Sequence, residues 1–310
     1  MHDLNAAVTI RSFDTGGAAY KKLSSFATIS SVNTTGRHLP EQELILQIRD
    51  ADVVIAGTER YTRDVIAAAP RLKIISRVGI GLDSLDLVAA KDRGITVLNT
   101  PGSTVRPVVE HTLALIFSLL KRIPDYNTRI RGGDFSVRPG TLLFGKKIGV
   151  IGIGRIGTKV AESLEALGCE IGYFDPYVPE NTPRHWHAFP ALSDLVMQSD
   201  IITIHSSAQQ GETSIINKEL LSSVRKGVII INTARGSLID ESALIEGLKS
   251  GRITGAGLDV FPQEPYSGPL LSFPQVIATP HVASNTVESR EQMEMEAVDN
   301  IIRHVQELRS

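Results

Sequence analysis

Residues 146–175 read KKIGVIGIGRIGTKVAESLEALGCEIGYFD, and this stretch decides the fold. It opens with KKIGVI, a short β-branched run of the kind that makes a buried strand. The turn Gly152-Ile153-Gly154-Arg155-Ile156-Gly157 follows, and TKVAESLEALG then carries apolar residues at helical spacing until Gly168 stops it. A second strand, EIGYFD, ends at Asp175. Strand, Gly-x-Gly-x-x-Gly turn, helix and strand in that order form a dinucleotide-binding βαβ unit. Gly152 makes the tight turn, Gly154 lets a pyrophosphate approach the backbone, and Gly157 lets helix and strand pack closely. The spacing alone is weak, because such a turn can bind nothing. Asp175, about 20 residues beyond the turn, makes it specific: a carboxylate there accepts hydrogen bonds from ribose hydroxyls. The same carboxylate repels a 2′-phosphate, so the cofactor expected is NAD rather than NADP.

The pattern extends in both directions. Upstream, AVTI, VVIA, KIISRV and ITVLN alternate with the helical stretches EQELILQIRD, TRDVIAAA and SLDLVAAKDRG. Downstream, DIITIH, GVIIIN, TGAGLDV and QVIATP are separated by further helical stretches such as ESALIEGLKSG. Strands alternating with helices predict parallel sheets covered on both faces. Pro101-Gly102 interrupts the first series, and EHTLALIFSLLKR, apolar around most of its circumference, predicts a helix buried between two bodies at a domain crossover. The spacing after Pro280 predicts one long amphipathic helix over about 287–308 that returns to the first domain. The domains expected are therefore 1–101 with 283–310, and 102–282.

Composition narrows the function classes. Of the 310 residues, 32 are Lys or Arg and 34 Asp or Glu, and a formal charge of -2 offers no field for nucleic acid or an anionic membrane. No apolar run approaches the roughly 18 residues of a membrane span. The start MHDLNAAVTI lacks the features of a secretory signal, and the lone Cys169 cannot form an intrachain disulfide, so a cytoplasmic protein is expected.

The other strand ends supply candidate chemistry. Arg235 follows VIIIN in NTARG, Glu264 follows GLDV in DVFPQEP, and His281 follows VIAT in TPH. Ligands of an open α/β sheet bind outside the carboxyl ends of the strands, where these three would converge. An Arg holds a carboxylate by a bidentate pair, and a His exchanges a hydroxyl proton near neutral pH. A neighbouring Glu stabilises the imidazolium.

The ordered set RVGIGLDSLDL, VVEHTLALIF, GIGRIG, INTARGSLIDESAL, GAGLDVF, QEP and TPH resembles the D-isomer-specific 2-hydroxyacid dehydrogenases, of which phosphoglycerate dehydrogenase is a member, over nearly the whole chain. The resemblance implies two doubly wound parallel-sheet domains, a Rossmann-type NAD domain and a flavodoxin-like substrate domain, with the active site in the cleft between them. It implies an oxidoreductase that moves a hydride between NAD and a D-2-hydroxy acid or its 2-keto acid. Arg235 would bind substrate, His281 would be the acid/base, and Glu264 its partner. Cofactor contacts are implied for Gly152, Gly154, Arg155, Ile156, Gly157, Asp175, His205, Thr233, Ala234 and Asp259, the last on the nicotinamide amide. The backbone of Val78 and Gly79 would cradle the substrate carboxylate. Phosphoglycerate is the first substrate expected, with glyoxylate, hydroxypyruvate or another keto acid as alternatives, and an NADH-sensing, corepressor-like scaffold as the non-enzymatic reading. A homodimer through the EHTLALIFSLL helix is also expected. The chain departs from the family pattern at Thr104, Pro107 and Ser206-Ser207, all on the cofactor side. No serine-feedback module is expected after residue 310.

Other signals carry less. His185 and His187 lack an evident third metal ligand and read as a surface turn, and no metal is expected. Cys169 reads as a buried structural thiol and His111 as a packing residue. Arg60, Arg77 and Arg138 read as solvated.

Overall fold

The computed structural model describes residues 4–207 and 214–309. The chain divides into two compact units, Met1–Thr104 with Asn285–Ser310, and Val105–Ser284.

The smaller unit begins with β1 (Asn5–Val8), α1 (Ala18–Phe26), β2 (Thr28–Val32), α2 (Glu41–Ile48), β3 (Val53–Ala56), α3 (Arg63–Ala67), β4 (Ile74–Arg77), α4 (Leu87–Asp92) and β5 (Thr96–Asn99). All strand pairs are parallel, in the order β2-β1-β3-β4-β5, which is the flavodoxin-like order. Side chains alternate across the sheet, so Val54 and Ala56 pack with Leu44, Ile48, Val65 and Ile66 of α2 and α3 on one face. Val53 and Ile55 pack on the opposite face with Leu23 of α1. Side-chain caps start two of the helices. The Thr62 hydroxyl accepts from Val65 N at the head of α3, and the Asp86 carboxylate accepts from Ala89 N at the head of α4.

The larger unit runs through α5 (Val105–Leu120), α6 (Ile123–Arg131), β6 (Lys147–Ile151), α7 (Arg155–Ala166), β7 (Glu170–Phe174), β8 (His187–Ala188), α8 (Leu192–Gln198), β9 (Ile201–Ile204), α9 (Lys218–Ser223), β10 (Val228–Asn232), α10 (Glu241–Lys249), β11 (Ile253–Leu258) and β12 (Val276–Ala278). Its parallel sheet has the order β12-β11-β10-β9-β6-β7-β8. From β8 to β11 this is the 3-2-1-4-5-6 order of a dinucleotide-binding sheet, with the reversal between β6 and β9. β9, IITI, is buried at every position because helices cover both faces. One face holds Leu115 and Ile116 of α5 with Val160 and Leu164 of α7, and the other holds residues of α8, α9 and α10.

A final helix, α11 (Val287–Arg309), belongs to the smaller unit. Met293, Ala297, Val298 and Ile301 cover the α1 face of its sheet. Ser76 Oγ donates to Ala297 O at 2.9 Å and Asn300 Nδ2 to Asn99 O at 2.9 Å.

In α5, Val109, Leu115, Ile116 and Leu120 join the core of the larger unit's own sheet. One expectation needs correction: the 185–187 stretch is not a free surface turn. Trp186 is 4% exposed and its Nε1 donates to Glu165 Oε1 at 2.9 Å, while His187 pairs with Gly172 in the edge strand β8.

Candidate active site

At the β6 end, Gly152 takes a φ of 89°, and a Cβ there would meet Ser206 N at 2.6 Å, so the turn requires glycine on both counts. Gly157, in the first turn of α7, would place a Cβ 1.9 Å from Gly152 O. Gly154 differs: no protein atom lies within 4 Å of the place its Cβ would take. That open space borders the start of α7, whose first N–H groups lack intrahelical acceptors and favour an anion. The residues therefore fit a dinucleotide pyrophosphate.

Asp175 stands just past β7. Its Oδ2 accepts from Ile153 N at 2.8 Å and its Oδ1 from Tyr177 N at 2.8 Å, which fixes the carboxylate beside the glycine turn. Each oxygen retains a lone pair for a ribose hydroxyl. His205 follows β9, with Nε2 2.8 Å from Thr203 Oγ1. Burial pushes its imidazole down to about 3, so it is neutral near pH 7 and serves as a fixed hydrogen-bonding group. Thr233 Oγ1 lies 3.1 Å from Thr112 Oγ1, and Thr112 donates to Val108 O.

At the β10 end, Ala234 N donates to Asn232 Oδ1 and Asn232 Nδ2 to Arg235 O, bending the chain around Arg235. Its Nη1 donates to Ala234 O at 2.7 Å. A Cβ on Gly236 would stand 1.9 Å from the carbonyl carbon of Phe261, so the loops after β10 and β11 touch through glycine. This contact brings Arg235 and Glu264 within electrostatic reach. Burial pushes the Glu264 carboxyl up. The hydrogen bond and charge of His281, the Phe261 N–H and the Arg235 charge outweigh it and hold the group below the usual carboxylate range.

His281 Nδ1 lies 2.9 Å from Glu264 Oε2, and Glu264 Oε1 accepts from Phe261 N at 3.0 Å. The imidazole is thus tethered at Nδ1, leaving Nε2 as the atom that can reach a substrate oxygen. Its backbone is left-handed, with φ 54°. Arg235, Glu264 and His281 all sit at carboxyl ends of the larger sheet, as the motif order predicted.

Three residues implied by the family resemblance, Asp259, Val78 and Gly79, have hydrogen-bond partners within the protein. Asp259 is fully buried. Its Oδ1 accepts from Thr279 Oγ1 at 2.5 Å and Val282 N at 2.9 Å, and its Oδ2 from Ala283 N at 2.8 Å, so both oxygens have partners within the protein. In the smaller unit, Val78 N donates to Ala56 O at 2.9 Å and Gly79 N to Thr100 Oγ1 at 2.6 Å, so both amides already have acceptors and form no ready carboxylate cradle. Arg77 lies over this loop, with Nη1 1.5 Å from where a Gly79 Cβ would stand. Sequence reasoning missed His111 as part of the site region: its Nε2 is 3.0 Å from Thr279 Oγ1. Spacing gave no signal for a pair 168 residues apart. Among the described residues no cluster of three or more His, Cys, Asp or Glu could hold a metal, and no helix is long and apolar enough to cross a membrane.

Residues 113–283 match the D-isomer specific 2-hydroxyacid dehydrogenase, NAD binding domain. Hydroxypyruvate reductase of Thermotoga maritima is 38% identical over 282 residues, covering 88% of this chain and 91% of that protein. D-3-phosphoglycerate dehydrogenase of Mycobacterium tuberculosis is 38% identical over 264 residues, covering 84% of this chain and 50% of that protein. The chain thus spans about half the length of the phosphoglycerate dehydrogenases it matches. Among solved structures, a Thermus thermophilus protein superposes with a TM-score of 0.87 at 32% identity over 96% of each chain. D-lactate dehydrogenase from Aquifex aeolicus, complexed with NAD and lactic acid, gives 0.84 at 27% identity over 97% of this chain and 95% of that one. The chain belongs to the D-isomer-specific 2-hydroxyacid dehydrogenases, and its larger unit carries that family's NAD-binding domain.

Proposed function

We propose that the protein is an NAD-dependent oxidoreductase interconverting a D-2-hydroxy acid and its 2-keto acid. The observation that carries this reading is the His281–Glu264 pair at 2.9 Å, beside Arg235 at the carboxyl edge of the sheet that bears the glycine turn. Arg235 pairs with the substrate carboxylate and orients C2. Nε2 of His281 takes the proton of the C2 hydroxyl during oxidation and returns it to the C2 oxygen during reduction. Glu264, held ionised, fixes the ring through Nδ1 and stabilises its charged form. NAD, when bound, accepts two electrons and the C2 hydrogen at its nicotinamide, and NADH gives them back.

D-3-phosphoglycerate is the first substrate proposed, supported by the phosphoglycerate dehydrogenase relatives. Hydroxypyruvate reduction is the second reading, favoured by the Thermotoga relative, which the chain matches over nearly its full length. A homodimer is proposed on different grounds from the α5 helix: Phe135, Val137, Leu142 and Phe144 are large apolar residues exposed on the segment after α6. The single Cys169 suits the cytoplasm.

The test follows NADH absorbance with 3-phosphohydroxypyruvate, hydroxypyruvate, glyoxylate and pyruvate, in the wild type and in His281→Ala. Turnover of at least one acid is expected, with a loss of about a hundredfold to ten-thousandfold or more in the variant. Tight NADH binding without turnover of any acid would favour the scaffold reading. A His281→Ala protein that keeps most of its activity would place the proton elsewhere.

A further inference from the structure

Asp259 is fully buried at the end of β11 and binds three consecutive amides of one short turn. Its backbone oxygen accepts from His281 N at 2.8 Å, and its carboxylate accepts from Val282 N and Ala283 N. The turn bears His281 in a left-handed conformation that disfavours any residue with a Cβ and persists only where the surroundings over-determine it. Asp259 holds the turn in that conformation through these three contacts, and His281 N also lies 3.0 Å from Thr279 O. Its carboxylate is itself held from the far side. Thr279 Oγ1 lies 2.5 Å from Asp259 Oδ1, and His111 Nε2 lies 3.0 Å from Thr279 Oγ1 and 3.5 Å from Asp259 Oδ1.

The chemistry gives this chain a direction. Thr279 Oγ1 donates its single hydroxyl proton to Asp259 Oδ1. Thr279 Oγ1 can then only accept from His111, whose Nε2 must carry a hydrogen. The order is His111 Nε2–H to Thr279 O–H to Asp259 Oδ1, all within the larger unit.

We infer that His111 and Thr279 are positioning residues for His281: they lock the Asp259 carboxylate in the orientation that holds residues 281–283 and so keeps His281 Nδ1 against Glu264. The inference rests on the reading of His281 as the proton-transfer residue. It gives Asp259 a duty toward the protein's own turn.

The test compares wild type with Thr279→Val, Thr279→Ser and His111→Phe in the full chain. The readouts are kcat for keto-acid reduction, the NADH Kd by fluorescence, and long-range 1H–15N spectra of the histidine rings, with His281 assigned through His281→Ala. Thr279→Val keeps the shape and removes the hydroxyl. It is expected to lower kcat about 10- to 100-fold, in line with a misplacement of about 1 Å, with the NADH Kd unchanged within about twofold. Thr279→Ser should recover kcat to within about threefold of wild type, and His111→Phe should follow Thr279→Val. The wild-type spectrum should show His111 protonated at Nε2, and Thr279→Val should move the His281 Nδ1 resonance toward that of a ring without the Glu264 bond. Wild-type kcat in Thr279→Val overturns the inference. A parallel loss of NADH affinity overturns it in favour of a nicotinamide contact, and a failed serine rescue overturns it in favour of a packing role. If the wild type turns over no acid, the proposed function fails, and the unmoved or shifted His281 resonance still decides whether the clamp exists.

Discussion

Gly154 and Gly157 stand three residues apart in one motif and should respond oppositely to the same substitution. In Gly157→Ala the new Cβ would lie 1.9 Å from Gly152 O, well inside the 3.0 Å below which real Cβ atoms essentially never come. The obstacle is backbone, so turn and helix must part by about an ångström. Overpacking of this kind costs about 1–3 kcal/mol. For a domain of this size that lowers Tm by about 2–12 °C, at roughly 2–4 °C per kcal/mol. Displacing the turn also displaces the N–H groups that face the pyrophosphate, so NADH affinity should fall at least about tenfold. Gly154→Ala meets no protein atom within 4 Å, and its φ of -68° suits any residue. The loss of a favourable N-cap residue and the gain from a less flexible unfolded chain are each about 1 kcal/mol or less and oppose one another. Its Tm should stay within about 2 °C of wild type. The methyl group instead occupies the space left for phosphate, and NADH affinity should fall about 10- to 100-fold, a change of about 1.4–2.8 kcal/mol. Calorimetry and NADH fluorescence titration measure both quantities on the same samples. Wild-type NADH affinity in Gly154→Ala would refute the assignment of that space to the cofactor. An unchanged Tm in Gly157→Ala would refute the steric argument.

Asp175→Ala should raise catalytic efficiency with NADPH relative to NADH, read from paired kinetics, if its carboxylate is the group that meets the ribose; an unchanged ratio would remove Asp175 from cofactor selection. It should also cost some stability, since Ile153 N and Tyr177 N lose their acceptor. Glu264→Gln removes the anion beside His281. Reduction needs the protonated ring, so the fall in activity with rising pH should move to lower pH, with the NADH Kd nearly unchanged; a shift to higher pH would contradict the pairing. Because the folded Glu264 carboxyl sits below its usual value, its stabilising pairing is present above the ordinary carboxylate range and lost as pH falls through the depressed value. Acid unfolding of wild type and Glu264→Gln should therefore converge at low pH. Light scattering at micromolar concentration should give a dimer mass, and Phe135→Ser with Phe144→Ser should reduce it toward the monomer; a monomeric wild type would end that proposal.

The parts of the site that a sequence displays are those fixed by local geometry. Gly152, Gly154 and Gly157 recur at a spacing that only a strand-to-helix turn uses, and Asp175 ends the next strand at a countable distance. Arg235, Glu264 and His281 each follow a β-branched run, so their placement came from the sheet's own logic. The commitments of hydrogen bonds were hidden. Whether Gly79 N–H faces a ligand or Thr100 depends on a backbone φ of 129° that no residue pattern encodes. His111 sits in a largely apolar helix, and its partner Thr279 lies 168 residues away, so neither residue marks the other. The stretch from α6 to β6 carries exposed phenylalanines without periodicity, which gave no basis for an element or a surface.

The return of α11 to the smaller unit bears on how the chain is made. Synthesis proceeds from the N-terminus, and strands β1 to β5 emerge before any part of residues 285–309 exists. During that interval the face bearing Val53, Ile55 and Ile74 has α1 as cover but lacks Met293, Ala297, Val298 and Ile301 of α11. The larger unit is contiguous and can close as soon as β12 has left the ribosome, so it is expected to fold first although it is encoded second. The first hundred residues thus wait as a sheet with one face partly uncovered, and a translational pause or a truncation before residue 287 would leave them as a client for chaperones.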